Sequence, residues 1–126
     1  MSFILEREVV IVSNDRDVHR EVDAVVARHP GARTSSGAQD ERGGSGGAHD
    51  ACIFVIDDAG REDALTLLHR LKAGPHDPPV VYLADYHSTD LEGAVRRAGA
   101  SFYCVKAARD GQLAKVIDAL LGQRER

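Results

Sequence analysis

The sequence lacks long apolar runs and has no excess of basic residues. Its longest apolar runs, around Cys52–Ile56 and Val80–Ala84, are short, whereas a helix needs about 20 apolar residues to span a bilayer. The net charge of −4 and the pI near 5.8 do not fit the basic stripe that nucleic-acid-binding domains carry. We therefore expect neither membrane insertion nor a nucleic acid as the main partner.

Cysteine is also scarce, and a secretory signal is missing. Cys52 and Cys104 both lie inside apolar segments, where cysteine behaves as a small buried side chain. Met1–Arg7 has neither the basic start nor the apolar stretch of a signal peptide. We therefore expect a cytoplasmic protein, and structural disulfides are rare in such a reducing compartment.

What the sequence does have is a regular alternation of apolar runs and helix-period segments. Its 126 residues fit one domain. This alternation predicts an α/β fold, with a parallel sheet covered on both faces. Five strands in this length favour the doubly wound order 2-1-3-4-5. The predicted strands are Val9–Val12, the polar edge segment Ala32–Ser36, Ala51–Ile56, Pro79–Ala84 and Phe102–Val105.

Four segments place apolar residues on one helical face. Thr89 and Glu92 match a capping box at the start of the third of these helices, and Gly99 is suited to end it. The four faces are Val18, Val22, Val25 and Val26; Ala64, Leu65, Leu68 and Leu71; Leu91, Ala94, Val95 and Ala98; and Leu113, Val116, Ile117, Leu120 and Leu121.

One segment breaks the alternation. Residues 37–50 contain five glycines and no large apolar side chain, and each interior glycine costs a helix about 1 kcal/mol relative to alanine. We predict a flexible Gly-rich loop in place of the second helix. A phosphate-binding glycine loop is disfavoured, because the lysine and the strand-then-helix context of such loops are missing.

Polar residues follow several of the predicted strands. Ser13-Asn14-Asp15 follows the first strand, Asp57-Asp58 the central one and Lys106 the last. Doubly wound sheets place their sites at the carboxyl ends of the strands. A carboxylate and a lysine from distant parts of the chain are therefore expected to converge at this edge.

Three stretches resemble the receiver domains of bacterial response regulators, which have a CheY-like, flavodoxin-type fold. Cys52–Asp57 resembles the central strand that ends in the phospho-accepting aspartate. Val80–His87 is similar to the fourth strand and its loop, and Arg97–Lys106 to the Gly-Ala turn, last strand and lysine. The resemblance covers nearly the whole chain and implies a single receiver-like domain over residues 1–126 that acts in two-component signal transduction.

The resemblance also implies roles for individual residues. It places the phospho-acceptor at Asp57 and the family lysine at Lys106. The acidic pair of the family falls on Ser13-Asn14, and its switch hydroxyl falls on Ala84, which has no oxygen to offer. Tyr103 matches the switch aromatic, although a half-exposed aromatic without a switching role is the simpler interpretation.

The charge of the predicted pocket argues against a bound metal. In a receiver, Mg²⁺ held by the acceptor and the acidic pair bridges the phosphoryl oxygens, whereas Asp57 and Lys106 already neutralise each other. Mg²⁺ prefers carboxylate ligands, and Asn14 offers only a neutral carbonyl. We expect either no bound metal or weak Mg²⁺ binding at Asp57 and Asp15. Asp15 or Asp58 could partly replace the missing acidic pair. A direct Asp57–Lys106 ion pair is expected in place of phosphorylation.

The leading hypothesis is an atypical receiver, not an enzyme, that acts by phosphorylation-independent protein contact. One alternative is a phosphorylatable regulator that accepts a phosphoryl group on Asp57 from a histidine kinase. Another is a detached N-terminal module of a larger protein, such as a pilus-assembly or polarity ATPase, with the polar segment Gly122–Arg126 as the cut point. We expect a monomer or weak homodimer without a cofactor other than weakly bound Mg²⁺. Other signalling proteins would bind the surface that the family forms from its helix 4, strand 5 and helix 5. In this sequence, that surface comprises the third predicted helix, the last strand and the fourth predicted helix, namely Thr89–Ala98, Phe102–Val105 and Gln112–Leu121.

Overall fold

The computed structural model describes residues 7–36, 52–58, 64–74, 78–106 and 111–124. The predicted Gly-rich loop, residues 37–50, lies outside them. The strands are β1 (Arg7–Val12), β2 (Ala32–Ser36), β3 (Cys52–Asp57), β4 (Val80–Ala84) and β5 (Phe102–Val105). The helices are α1 (Arg16–Val26), α2 (Ala64–Ala73), α3 (Thr89–Arg97) and α4 (Gln112–Arg124).

The five strands form one parallel sheet in the order β2-β1-β3-β4-β5, which confirms the predicted order 2-1-3-4-5. The register pairs Asp57 with Leu83 and Ala84 with Val105. The carboxyl ends of β3, β4 and β5 therefore lie level at one edge of the sheet, where the polar residues predicted to form a site follow them.

The apolar core lies in two layers, because successive side chains of a strand point to opposite faces of the sheet. One layer packs the strands against α1 and α4, and the other packs them against α2 and α3. The first layer includes Ile11, Ile53, Val55, Leu83 and Cys104 with Val22, Ile117 and Leu121. The second includes Val12, Ile56, Val80, Tyr82, Ala84 and Tyr103 with Leu68 and Val95.

The helices are close to those predicted, apart from the cap of α3 and the face of α2, where Leu67 is buried and Leu65 and Leu71 are only half-buried. The apolar faces predicted for α1 and α4 are buried. The N-cap of α3 is Ser88 rather than Thr89, because Ser88 has an extended backbone and its Oγ accepts a hydrogen bond from Leu91 N at 3.2 Å. Among the described residues, none of the helices has the length and apolar character needed to cross a bilayer.

The cysteines follow the prediction as far as the structure describes them. Cys104 is a buried free thiol in β5, and β4 lies between β5 and the strand that begins at Cys52. Two strands separated by a third are about 9–10 Å apart, which exceeds the Cα separation of about 7 Å that a disulfide tolerates.

Gly99 ends α3 in a conformation that other residues avoid. Its φ is 106°, and an added Cβ would lie 3.1 Å from Lys72 Cε. We expect Gly99→Ala to lower the free energy of unfolding by about 1–2 kcal/mol. The matched control is Gly122→Ala inside α4, where an added Cβ would meet nothing within 4 Å. This variant should raise the free energy of unfolding by about 0.5–1 kcal/mol. Urea denaturation measures both, and changes of equal sign would contradict this account.

Candidate functional site

A buried ion pair lies at the carboxyl edge of the sheet. Asp57 is the last residue of β3 and is 1% exposed. Lys106 follows β5, and its Nζ donates to Asp57 Oδ2 at 3.1 Å and to Oδ1 at 3.4 Å. The predicted Asp57–Lys106 pair is therefore confirmed. Since an unpaired buried charge costs several kcal/mol, the ammonium of Lys106 stabilises a carboxylate at this position.

Asp15 extends the pair to a cluster of three charges. Asp15 caps the start of α1, where its Oδ1 accepts from Asp17 N at 2.9 Å, and its Oδ2 lies 2.9 Å from Lys106 Nζ. The hydrogen bond from Lys106 is the main cause of the lowered pKa of Asp15. Burial acts to lower the pKa of Lys106, but the hydrogen bonds to Asp15 and Asp57 outweigh it, so this pKa is raised. The cluster carries one net negative charge instead of the neutrality expected from Asp57 and Lys106 alone.

Ser13 fixes the orientation of Asp57. It follows β1 and is 6% exposed. Its hydroxyl donates to Asp57 Oδ2 at 2.6 Å and accepts from Asp15 N at 2.9 Å. His19 Nε2 donates to the carbonyl of Ser13 at 2.8 Å. The first position of the degenerate acidic pair is thus part of the site, whereas Asn14 is exposed.

The Mg²⁺ ion that the resemblance implies does not fit this arrangement. Both oxygens of Asp57 and both oxygens of Asp15 already interact with protein donors. The ammonium of Lys106 occupies the position between the two carboxylates, where a cation would be needed. In the part of the chain that the structure describes, no three His, Cys, Asp or Glu side chains converge as a metal site.

Asp58 makes a different set of contacts. Its Oδ2 accepts from the Tyr82 hydroxyl at 3.2 Å, and its Oδ1 accepts from Asp85 N at 3.2 Å. Desolvation is the main cause of its raised pKa. Of the two acids predicted to compensate for the missing pair, Asp15 joins Lys106, whereas Asp58 interacts with β4 and the loop that follows it.

The two residues at the switch positions are both buried. Ala84 is the last residue of β4 and is fully buried. Tyr103 is only 8% exposed, so the expected half-exposed aromatic is wrong. Its ring stacks on Tyr82 with centroids 6.4 Å apart and an angle of 11° between the ring planes. The reason is the register, which pairs Tyr82 with Tyr103 across β4 and β5 on the layer covered by α2 and α3.

Tyr82 is the site residue that sequence reasoning missed. It lies two residues before Ala84, and residues two apart in a strand share a face. A tyrosine inside an otherwise aliphatic run, VVYLA, was an available signal, because a buried phenol hydroxyl needs a hydrogen-bond partner.

A cleft of about 210 Å³ opens beside the cluster, between the starts of α1 and α4. Its polar lining includes Asp15, Asp17 and Glu21, with Lys106 as the basic residue. Lys106 is already held by Asp15 and Asp57. A phosphate group that entered the cleft would therefore meet an excess of negative charge, which disfavours its approach.

The stability contributions of Asp15 and Asp58 should show opposite pH dependence. Because the pKa of Asp15 is lowered in the fold, its contribution is present above the ordinary value of about 3.9 and is lost as the pH falls through the lowered pKa. Asp15→Asn should therefore cost about 0.5–1 kcal/mol near neutral pH and nothing in strong acid.

The pKa of Asp58 is raised, so its ionisation opposes folding, and this penalty is relieved as the pH falls. The free energy of unfolding of Asp58→Asn should accordingly fall relative to that of the wild type as the pH is lowered. Urea denaturation from about pH 6 to about pH 2 measures both variants. Parallel pH curves for the two variants would contradict these assignments.

Comparison with known proteins finds similarity in structure rather than in sequence. A response regulator from Thermotoga maritima is 21% identical, with a TM-score of 0.75 over 94% of this chain and 99% of that chain. An orphan response regulator of H. pylori is 19% identical, with a TM-score of 0.73 over 93% and 98% of the two chains. A Mn²⁺-bound response regulator is 18% identical, with a TM-score of 0.68 over 90% of each chain. None of the protein-family models and no curated protein sequence matches the chain.

These structural neighbours establish the fold. The chain has the five-stranded parallel architecture of response-regulator receiver domains, as its sequence motifs predicted. Within that fold, Asp57 and Lys106 lie at the ends of β3 and β5 and contact each other directly.

Proposed function

We propose that the chain is an atypical receiver domain in signal transduction that acts by protein–protein contact without phosphorylation. The observation that carries this proposal is the internal neutralisation of Asp57. Ser13 and Lys106 hold its carboxylate at 2.6 Å and 3.1 Å, and Asp15 holds Lys106 at 2.9 Å. This hydrogen-bonded cluster is a structural substitute for a metal-dependent acceptor site.

The chemistry of phosphoryl transfer supports the proposal. Transfer depends on positioning and on neutralising charge at the phosphoryl oxygens. Asp57 would first have to exchange the hydrogen bonds from Ser13 and Lys106 for contacts with the donor. Ala84 could not supply a hydroxyl to the transferred group, and a divalent cation does not fit the cluster. We accordingly propose no enzymatic activity for the chain.

The surface built from α3, β5 and α4, here called the docking face, is the proposed contact site. Phe102 begins the edge strand β5 and is 38% exposed. Arg97 is exposed near the end of α3. Aromatic and arginine side chains are enriched among residues that dominate binding energy at interfaces. The docking face comprises Thr89–Ala98, Phe102–Val105 and Gln112–Leu121.

Proximity labelling in the native host tests the proposal. The chain fused to a labelling enzyme should mark the same proteins as wild type and as Asp57→Asn, because the contact does not need the acceptor. Phe102→Asp should lose those proteins, whereas Thr66→Asp, at an exposed position of α2, should retain them. Loss of the marked set in Asp57→Asn, or its retention in Phe102→Asp, would overturn the proposal.

A phosphorylatable regulator is the second candidate function. It is favoured by the similar fold of a Mn²⁺-bound response regulator. Incubation with acetyl phosphate and MgCl₂, followed by intact-mass spectrometry, separates the two candidates. A phosphoryl adduct that is absent from Asp57→Asn would favour this candidate over the phosphorylation-independent one.

A further inference from the structure

The loop between β4 and α3 is held at its start by a single carboxylate. Asp58 Oδ1 accepts from the backbone N–H of Asp85, the first residue after β4, at 3.2 Å. Asp58 is itself fixed to the sheet, because its N–H donates to the carbonyl of Leu83 at 3.0 Å. Asp58 therefore links the end of β3 to the first residue of the loop.

The same carboxylate connects to the end of the loop through two stacked rings. Asp58 Oδ2 accepts from the Tyr82 hydroxyl, and the buried Tyr82 ring stacks on Tyr103. The Tyr103 hydroxyl accepts from Ser88 N at 3.4 Å, a long hydrogen bond, and the His87 ring meets the Tyr103 ring edge-on at 6.3 Å. Ser88 caps α3, so this route ends at the first turn of that helix.

We propose that Asp58 is a positioning residue for the β4–α3 loop and for the start of α3, and that Tyr82 carries its effect to Tyr103 and Ser88. This route runs through Tyr82 and does not involve residue 84, where alanine has no hydroxyl. Tyr86, which is 74% exposed, lies on the positioned loop. The connection to the docking face, of which α3 is part, rests on the proposed function, but the coupling itself is a property of the isolated chain.

The coupling is tested by amide hydrogen exchange of the chain alone, measured by NMR for Tyr82→Phe, Asp58→Ala and the double variant. Tyr82→Phe removes one hydroxyl and keeps the ring stack. It should speed exchange at Ser88 about fivefold, the scale of one hydrogen bond, and leave Asp85 unchanged. Asp58→Ala should speed exchange at both amides. At Ser88 the double variant should be no faster than Asp58→Ala, because residues in one network are not additive.

The matched control is Tyr86→Phe, which removes a hydroxyl from the exposed ring on the same loop and should change exchange at Ser88 less than twofold. If Asp58→Ala does not fold, Tyr82→Phe alone decides, since it retains the core packing. The proposal is overturned if Ser88 exchanges equally fast in the wild type and Tyr82→Phe, or if the effects of the two single variants at Ser88 add fully. Neither result depends on a partner or on phosphate, so failure of this proposal would leave the test of the proposed function unaffected.

Discussion

Replacing Lys106 with methionine is expected to lower the free energy of unfolding by about 3 kcal/mol near neutral pH. Methionine retains most of the length and volume of the side chain but removes the charge that Asp57 and Asp15 share. Asp57 would then keep its hydrogen bond from Ser13 but would lose the ammonium that contacts both of its oxygens in the buried site.

Asp57→Asn and the double variant complete this test. Asparagine removes the buried charge while Lys106 keeps its ion pair with Asp15, so we expect Asp57→Asn to change stability by less than about 1 kcal/mol. In the double variant most of the loss caused by Lys106→Met should be recovered. Denaturation by urea and by heat measures all three. A loss under about 1 kcal/mol in Lys106→Met, or a larger loss in Asp57→Asn, would contradict the view that Lys106 neutralises a buried acceptor position.

Ser13→Asp is expected to make the stability of the chain depend on Mg²⁺. The Ser13 hydroxyl lies 2.6 Å from Asp57 Oδ2, so a carboxylate here would face Asp57 across a short distance. Like charges this close repel, and we expect a loss of about 2–4 kcal/mol without metal. The additional carboxylate also supplies the ligand that Mg²⁺ prefers. Mg²⁺ at ten times its Kd should restore about 1.4 kcal/mol.

Ser13→Asn is the matched control for this variant, because it has the same shape without the charge. Its melting temperature, like that of the wild type, should not respond to millimolar Mg²⁺. Thermal unfolding with MgCl₂, and with MgCl₂ plus excess EDTA, gives the comparison. If the wild type gained as much from Mg²⁺ as Ser13→Asp, the missing acidic pair would not be what limits metal binding.

Most of the fold could be predicted because two periodicities dominate the sequence. Buried parallel strands appear as continuous apolar runs, and each helical face repeats every three or four residues. The start of α3 was predicted one residue late, because Ser88 and Thr89 both offer a hydroxyl. Only the backbone conformation decides which of the two caps the helix.

The site was predictable in outline but not in its connections. Strand order alone brings Asp57 and Lys106 to the same edge, and their contact follows from opposite charge. The sequence could not predict that the Asp15 side chain contacts Lys106 whereas the Asp58 side chain contacts Tyr82. Both acids follow strand ends, where side-chain direction depends on loop backbone rather than on the alternation within the strand.

The burial of Tyr103 could not be predicted from the exposure of its neighbours. Phe102, one residue before it, is exposed but points to the opposite face of the strand, so it says nothing about Tyr103. The edge position of β5 favours a half-exposed ring. The ring is instead covered through its stacking on Tyr82. That contact depends on the pairing register of β4 and β5, and the sequence of either strand alone does not contain it.

The most direct test of phosphorylation independence is a titration of the wild-type chain with Mg²⁺ and beryllofluoride, followed by amide NMR. Beryllofluoride mimics an acyl phosphate only where an acceptor carboxylate, a metal and a lysine converge. We expect no saturable shifts at the amides of Asp57, Ala84 and Lys106 at millimolar Mg²⁺. Saturable shifts that reach Tyr103 and vanish in Asp57→Asn would contradict it and would identify a working phospho-acceptor.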